Sequence, residues 1–426
     1  MTAVFAILIL LIAAAPVLAI MGGILSAGFL LVMAALAIAL IILNSPRNEF
    51  SRLGALWKPV IPFALVPGIW MLVQLAPVPG WLAHSAWTSA AAALGQSVTG
   101  AITLDIGATL LGLCLYSLAL AIAIIATAVA LDRRRAETIL FGLMAAAGLT
   151  AVTLIGLDVG FSLFSDLGHV AQRPQMWTVA LLGLILSCAT TLRAYEHSRR
   201  QRATDALTRV AATASIAVMA ICLSAIAISA HPAVLLAAAS GLFILGGLAV
   251  IHRLRLGPWE QSGIAAAGII ALIGLSAAIP ANRVGDIMLV WSSEPQVSIE
   301  TAKRMLADAK WVGTGAGTFE ALSPIYRDVD DADFHAAPTA AASIAIEMGR
   351  PLLWLLVIVA LVSALSLVKR ALMRGREYIY AGTGAACIVA VLVSSFANAG
   401  ILGLGASLLT SVVCGLALAQ SRNWSA

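Results

Sequence analysis

Apolar stretches of about twenty residues recur along the chain, separated by short polar connections. Each is long enough to cross a ~30 Å hydrocarbon core as a helix. None alternates with the period of two that the strands of a membrane barrel require. The runs predict spans at approximately 2–20, 22–44, 59–76, 107–131, 137–158, 177–193, 210–229, 232–251, 262–280, 340–367, 378–397 and 401–420. The pattern therefore predicts an all-α polytopic membrane protein of about 12 transmembrane helices. Helices one to nine fall in 1–280, a long loop region in 281–339, and helices ten to twelve in 340–426. The first run starts at Thr2, lacks a basic leader and is followed at once by another span, so it is expected to be retained and not cleaved.

Composition agrees. Hydrophobic residues make up 61% of the chain and charged ones 11%, against about a quarter charged in a soluble domain. The five cysteines, Cys114, Cys188, Cys222, Cys387 and Cys414, all fall inside predicted spans without metal-type spacing and read as small packing residues. Trp70, Trp81, Trp87, Trp177 and Trp354 read as interfacial belt residues.

The arginines add orientation. Basic residues gather at alternate connections: Arg47, Arg52 and Lys58; Arg133 to Arg135; Arg193 to Arg209; Arg253 and Arg255; Lys369 to Arg376; and Arg422. The connections between them are nearly free of Lys and Arg. The positive-inside rule then puts both termini in the cytoplasm and the 281–339 loop on the outer side.

That loop holds nine of the twenty acidic residues and breaks the economy of the other connections, as functional loops do. Within "VSIETAKRMLADAKW", Ile299, Ala302, Leu306 and Ala309 recur at helical spacing, with Glu300, Lys303, Arg304 and Asp308 opposite. This predicts a short amphipathic helix along the membrane surface. It leads into "WVGTGAGTFEALSPIYR". The glycines Gly313, Gly315 and Gly317 lack the Lys-Ser/Thr of a P-loop, and no strand–turn–helix unit surrounds them. Two readings stand: a tight turn, or a nest of bare N–H groups that binds an anion.

In sequence, this loop resembles the bacterial O-antigen ligase and O-antigen polymerase superfamily. The resemblance rests on an amphipathic helix followed by G-x-G-x-G-x-F (Gly313 to Phe319) and Pro-x-Tyr-Arg (Pro324 to Arg327), late in a polytopic chain. "WMLVQLAPVPGWLA" (Trp70 to Ala83), the turn within Ile228 to Leu245, and "IAIEMGRPLLWLLV" (Ile344 to Val357) resemble further family segments. The likeness is architectural over most of the chain and sequential in about four short patches. Two positions depart from the family pattern. Its loop histidine corresponds to Pro338, with His335 three residues earlier, and its Ser-Arg-Gly turn reads Ser229-Ala230-His231-Pro232.

The resemblance implies a metal-independent glycosyltransferase of cell-surface polysaccharide assembly. It would move a glycan from an undecaprenyl-diphosphate donor on the periplasmic side, with no cofactor. The implied partners are that lipid-linked glycan, the lipid bilayer and other polysaccharide-assembly proteins; nothing points to nucleic acid. The implied catalytic candidates are His335 and Arg327. Substrate-binding candidates are Arg283, Arg304, Gly313, Gly315, Gly317, His231, Glu347 and Arg350, with no metal ligands. Plainer readings accompany several of these: Glu347 and Arg350 as a mutual ion pair three residues apart, Arg327 as a partner of the acidic run Asp328 to Asp333, and His231 as a polar cap. The competing classes are a multi-pass secondary transporter and a catalytically inactive relative that supports polysaccharide export. Against a transporter, the two halves show no repeat and intramembrane charge is scarce.

Overall fold

The computed structural model describes residues 1–44, 46–79, 83–97, 99–160, 172–200, 206–229, 231–254, 263, 296–327, 337–373 and 378–421; of 47–48, 197–200, 206–208 and 296–298 it describes the backbone alone. The described residues are helical throughout apart from connections and one isolated bridge, Pro77 to Ala101. In chain order the helices are α1 (Thr2–Ile20), α2 (Ile24–Asn44), α3 (Arg47–Trp57), α4 (Ile61–Leu75), α5 (Ser85–Leu94), α6 (Ile106–Val129), α7 (Arg133–Val159) and α8 (Arg173–Arg200). There follow α9 (Ala206–Ile228), α10 (Pro232–Leu254), α11 (Gln296–Asp308), α12 (Phe319–Tyr326), α13 (Ala340–Glu347), α14 (Arg350–Met373), α15 (Tyr378–Ser395) and α16 (Leu404–Ala419).

Among the described residues nine helices are long and apolar enough to cross a membrane: α1, α2, α6 to α10, α14 and α15. The bent pair α3–α4, turned by 69°, makes up to ten, and α16 is apolar but shorter. The multi-pass helical character is thus present, whereas the predicted ninth span, 262–280, lies outside the described residues but for residue 263. The third span, predicted at 59–76, is helix Ile61–Leu75, where Pro62 suits the first turn, and the basic segment before it forms the separate helix α3. One predicted span changes shape. The tenth, expected at 340–367, is broken at Met348–Gly349. Gly349 has φ 91°, and Pro351 opens the helix that follows. The spanning piece is α14, and the eight-residue α13 belongs to the loop assembly.

Burial sorts the helices. The spanning windows of α8 and α15 are 78% and 72% buried, whereas those of α9 and α14 are each 22% buried. The central pair is also the least hydropathic of the nine, and its buried residues include Thr178, Ser187 and Thr190 on α8 and Gly382, Thr383, Gly384 and Ser394 on α15. Without a hydrophobic force between helices in lipid, close backbone approach supplies the packing. A Cβ on Gly384 would collide with Ala417, and one on Gly415 would stand 2.5 Å from the carbonyl of Ala123. On the periphery, Ile24, Leu25 and Leu43 of α2 are 74%, 91% and 78% exposed. In water that surface would aggregate; in a bilayer it is a lipid face.

The helices alternate so that the C-terminal ends of α1, α4, α7, α9 and α15 share one face with the N-terminal ends of α6, α8, α10, α14 and α16. This is the loop face, onto which α11 to α13 pack. Among the described residues, the opposite face holds Arg133 to Arg135, Arg193, Arg253 and Arg370.

Candidate functional site

The loop face is assembled around the glycine run. Gly313, Gly315 and Gly317 have φ of 84°, 112° and 75°, a left-handed backbone that side chains resist. The reason is proximity. A Cβ on Gly313 would collide with the Glu347 carbonyl, and one on Gly315 with the Thr103 hydroxyl. The run lies against the turn that follows α13: Thr314 N–H donates to Ile346 O at 3.0 Å and Gly315 N–H to Glu347 O at 2.9 Å. Its other edge receives the Leu104 N–H on Thr314 O at 2.9 Å, and the Thr109 hydroxyl donates to Ala316 O at 3.1 Å. Three distant stretches of backbone are thereby laced together.

Helix α4 supplies the clasp. Gln74, wholly buried, donates through Nε2 to Val312 O (3.1 Å) and Glu347 O (2.9 Å), and Trp70 Nε1 donates to Met348 O at 2.9 Å. Trp70 thus ties the loop and is more than a belt residue, as is Trp87, whose Nε1 donates to Thr103 O at 2.9 Å. Beneath them Met71, Ala316, Met348 and Leu352 form an apolar plug. Gln74 and Trp70 were the residues sequence reasoning undervalued. An amide one turn from a tryptophan inside an apolar span was the available signal, because buried polar groups in a membrane demand partners.

The acceptor at the glycine nest is internal. The Glu347 carboxylate accepts the N–H groups of Gly317 and Phe319, the latter at 3.2 Å, and the Ser343 hydroxyl. It therefore caps the N-terminus of α12 from a different segment, where a negative charge is favourable. Burial dominates its titration and raises the carboxyl above the ordinary value, with those three hydrogen bonds pulling the other way. The expected pairing of Glu347 with Arg350 does not form among the described residues: Arg350 instead donates to Leu306 O at 3.1 Å, in the last turn of α11. Arg304 donates to Tyr326 O at 3.2 Å, at the end of α12. Both arginines satisfy carbonyls that a helix end leaves open. Each uses part of a five-donor guanidinium for this, and both residues are exposed.

Arg327 follows α12 directly in extended backbone, its N–H on Ser323 O at 3.2 Å, and is partly exposed. Arg304 and Arg327 thus meet at one helix end, with Arg350 at the end of the neighbouring α11. Ala302, Met305, Leu306, Phe319, Leu322, Ala341, Ala342 and Ile346 form the small core that holds α11 to α13 together. His335, Arg283 and the acidic run Asp328 to Asp333 lie outside the described residues. His231 is separate from the glycine run. It precedes α10, and its ring meets Trp177 of α8 edge to face at 4.0 Å.

No family model matches this chain, and no curated protein is similar to it. Function must then be argued from the site itself.

Proposed function

We propose that this chain is an O-antigen ligase/polymerase-like membrane protein of cell-surface polysaccharide assembly in the bacterial inner membrane. In this reading both termini are cytoplasmic, the loop face is periplasmic, and a glycan is transferred there from an undecaprenyl-diphosphate donor. The observation that supports it most is the grouping of Arg304, Arg327 and Arg350 around α11 and α12, directly above apolar spans. A diphosphate on a lipid carrier would lie at that height. The guanidinium groups of Arg304 and Arg350, fixed by the carbonyls they cap, are pre-positioned beside Arg327 to take the charge that develops on the leaving diphosphate. Arg327 carries the most weight here. The glycine clasp serves as the joint that fixes those arginines relative to the bilayer, and Glu347 holds the joint together.

The test is a deletion strain complemented with wild type, Arg327→Ala or Asp330→Ala at matched membrane levels. Gel profiles of lipopolysaccharide and secreted polysaccharide are read beside the quantity of lipid-linked glycan. Wild type should restore long glycan and consume the intermediate, Asp330→Ala should do nearly as well, and Arg327→Ala should leave the intermediate accumulated. Unchanged glycans and intermediates in the deletion strain itself would exclude the role and favour transport.

A further inference from the structure

A second group of polar side chains sits on the loop face, away from the glycine run. It lies where the ends of α7, α8 and α10 meet. Asp158, near the end of α7, is only 14% exposed and stands 3.7 Å from the half-exposed Arg173 that begins α8. One turn further on, Trp177 is buried, and its Nε1–H has no hydrogen-bond partner. Against that ring lies His231, at 4.0 Å between centroids and 63° between planes. Neither ring nitrogen of His231 has a hydrogen-bond partner among the described residues. Its main chain is occupied in starting α10, accepting from Val234 and Leu235 at 3.1 and 3.2 Å.

The buried indole N–H, unpartnered, costs free energy unless something arrives to satisfy it, and the half-buried imidazole a ring contact away is open to the same visitor. The nearby charges are of opposite sign and already paired, so the place is not arranged for a bare anion. A group that both donates and accepts suits it, and an aromatic ring beside it suits a sugar face. We propose that Trp177 and His231 form the acceptor-hydroxyl site of the transfer reaction, with His231 as the base that takes the hydroxyl proton and the Asp158–Arg173 pair at the edge of the site. This rests on the transferase reading above and names a residue for a step that reading leaves open.

The step balances without a cofactor. The acceptor oxygen bonds to the anomeric carbon of the donor as the bond from that carbon to the diphosphate oxygen breaks. The electron pair of that bond leaves with the lipid diphosphate. The hydroxyl proton passes to a ring nitrogen of His231 and from there to water on the loop face. A base must be unprotonated at rest. Burial lowers the affinity of His231 for a proton, while the Asp158 carboxylate raises it to a smaller extent. The ring is therefore neutral at pH 7, with a carboxylate in place to stabilise the cation once formed.

The experiment follows consumption of endogenous undecaprenyl-diphosphate-linked glycan in isolated membranes of the deletion strain from pH 5.5 to 8.5. The membranes carry wild type, His231→Gln, Asp158→Asn or Trp177→Phe at matched levels, and each variant is checked for a monodisperse peak after solubilisation. His231→Gln should slow consumption by roughly a hundredfold or more. Asp158→Asn should slow it less and move the acid limb of the profile to lower pH, because the group that raises the His231 affinity is gone. Trp177→Phe keeps an aromatic six-membered ring but loses the N–H together with the rest of the pyrrole ring, so it should weaken acceptor use with the acid limb in place. Wild-type rate and profile in His231→Gln would overturn the proposal and leave the transferase reading standing. No consumption by wild type would overturn both.

Discussion

The two ends of α8 are built on different terms. At the loop face, Gln175 donates to Leu18 O at 2.9 Å while its Oε1 stays buried and unpartnered, and Trp177 keeps an unpartnered N–H. At the arginine-rich face, Arg193 donates to both Glu137 and the Tyr380 hydroxyl, Arg193 also lies over the Tyr380 ring, and Glu196 accepts from the Tyr378 hydroxyl at 2.7 Å. His252 of α10 stacks on Tyr378 at 4.1 Å. One end ties α7, α8, α10 and α15 with side chains that satisfy one another. The other leaves polar atoms of Gln175 and Trp177 open on the loop face. A closed end and an open end on one helix teach where a ligand belongs, since an unsatisfied buried group is stable only when function or a bound partner explains it. The closed end is an anchor against which the loop face can be held.

The largest expected effect tests the glycine lacing itself. Gly315→Val places a β-branched residue at φ 112° and drives its side chain into Thr103. The backbone strain alone is worth of order 1–3 kcal/mol and the collision adds to it. The expected outcome is loss of the docked loop: rapid protease cleavage within 296–327 in membranes where the wild type is resistant, with little folded protein recovered. Resistance equal to wild type would mean that the loop face does not depend on the lacing, and the contrast between the two ends would fail.

A finer test uses pH. The folded state raises the Glu347 carboxyl above its ordinary value, so the folded loop binds its proton more tightly than the undocked chain does. Stability is then greatest at or below the ordinary carboxylate value of about 4.3 and is lost as pH rises through the raised folded value. Glu347→Gln keeps an oxygen to accept from Gly317 and Phe319 but removes the charge. Protease protection of the loop should weaken from pH 4.5 towards neutrality in wild type and stay flat in the glutamine variant. A slope that survives the substitution would assign the titration to another group.

Much of the scaffold was legible in the sequence for a physical reason: a span must satisfy its own backbone, so twenty apolar residues have few alternatives to a helix. The amphipathic helix in "VSIETAKRMLADAKW" appears as α11 for the same kind of reason, its apolar spacing having one solution. The break in the predicted tenth span was harder to see. Glu347-Met348 precede Gly349 and Arg350-Pro351 follow it, but the close approach that excludes a side chain there comes from the Trp311 carbonyl, 38 positions away. The candidate site shows the same limit. Arg350 and Glu347 were singled out from their place at a membrane boundary, yet their partners, Leu306 O and the N–H groups of Gly317 and Phe319, are backbone atoms of a separate segment. Side-chain periodicity says nothing of which main-chain groups are left open. Gln74 and Trp70 were hidden likewise, because their targets are carbonyls created by the loop's own turn.

The smallest effect sharpens the closed end. Tyr378 is buried at 3% exposure, with a hydroxyl on Glu196 and a ring on His252. Tyr378→Phe removes the first and retains the second. A hydrogen bond to a charged acceptor contributes about 1.5–3 kcal/mol when dry, but Glu196 keeps solvent contact and can recover part of that from water, so about 1 kcal/mol is expected. Tyr378→Ala removes the stack as well and opens a cavity where four helices meet, which costs about 3–5 kcal/mol. Thermal unfolding in detergent should therefore separate the two variants clearly, with the phenylalanine variant close to wild type. If both fall together, the hydroxyl pair and not the packed ring holds α15 to α8, and the anchor is electrostatic. That outcome would predict loss of the anchor in high salt, where a packed aromatic stack would be indifferent.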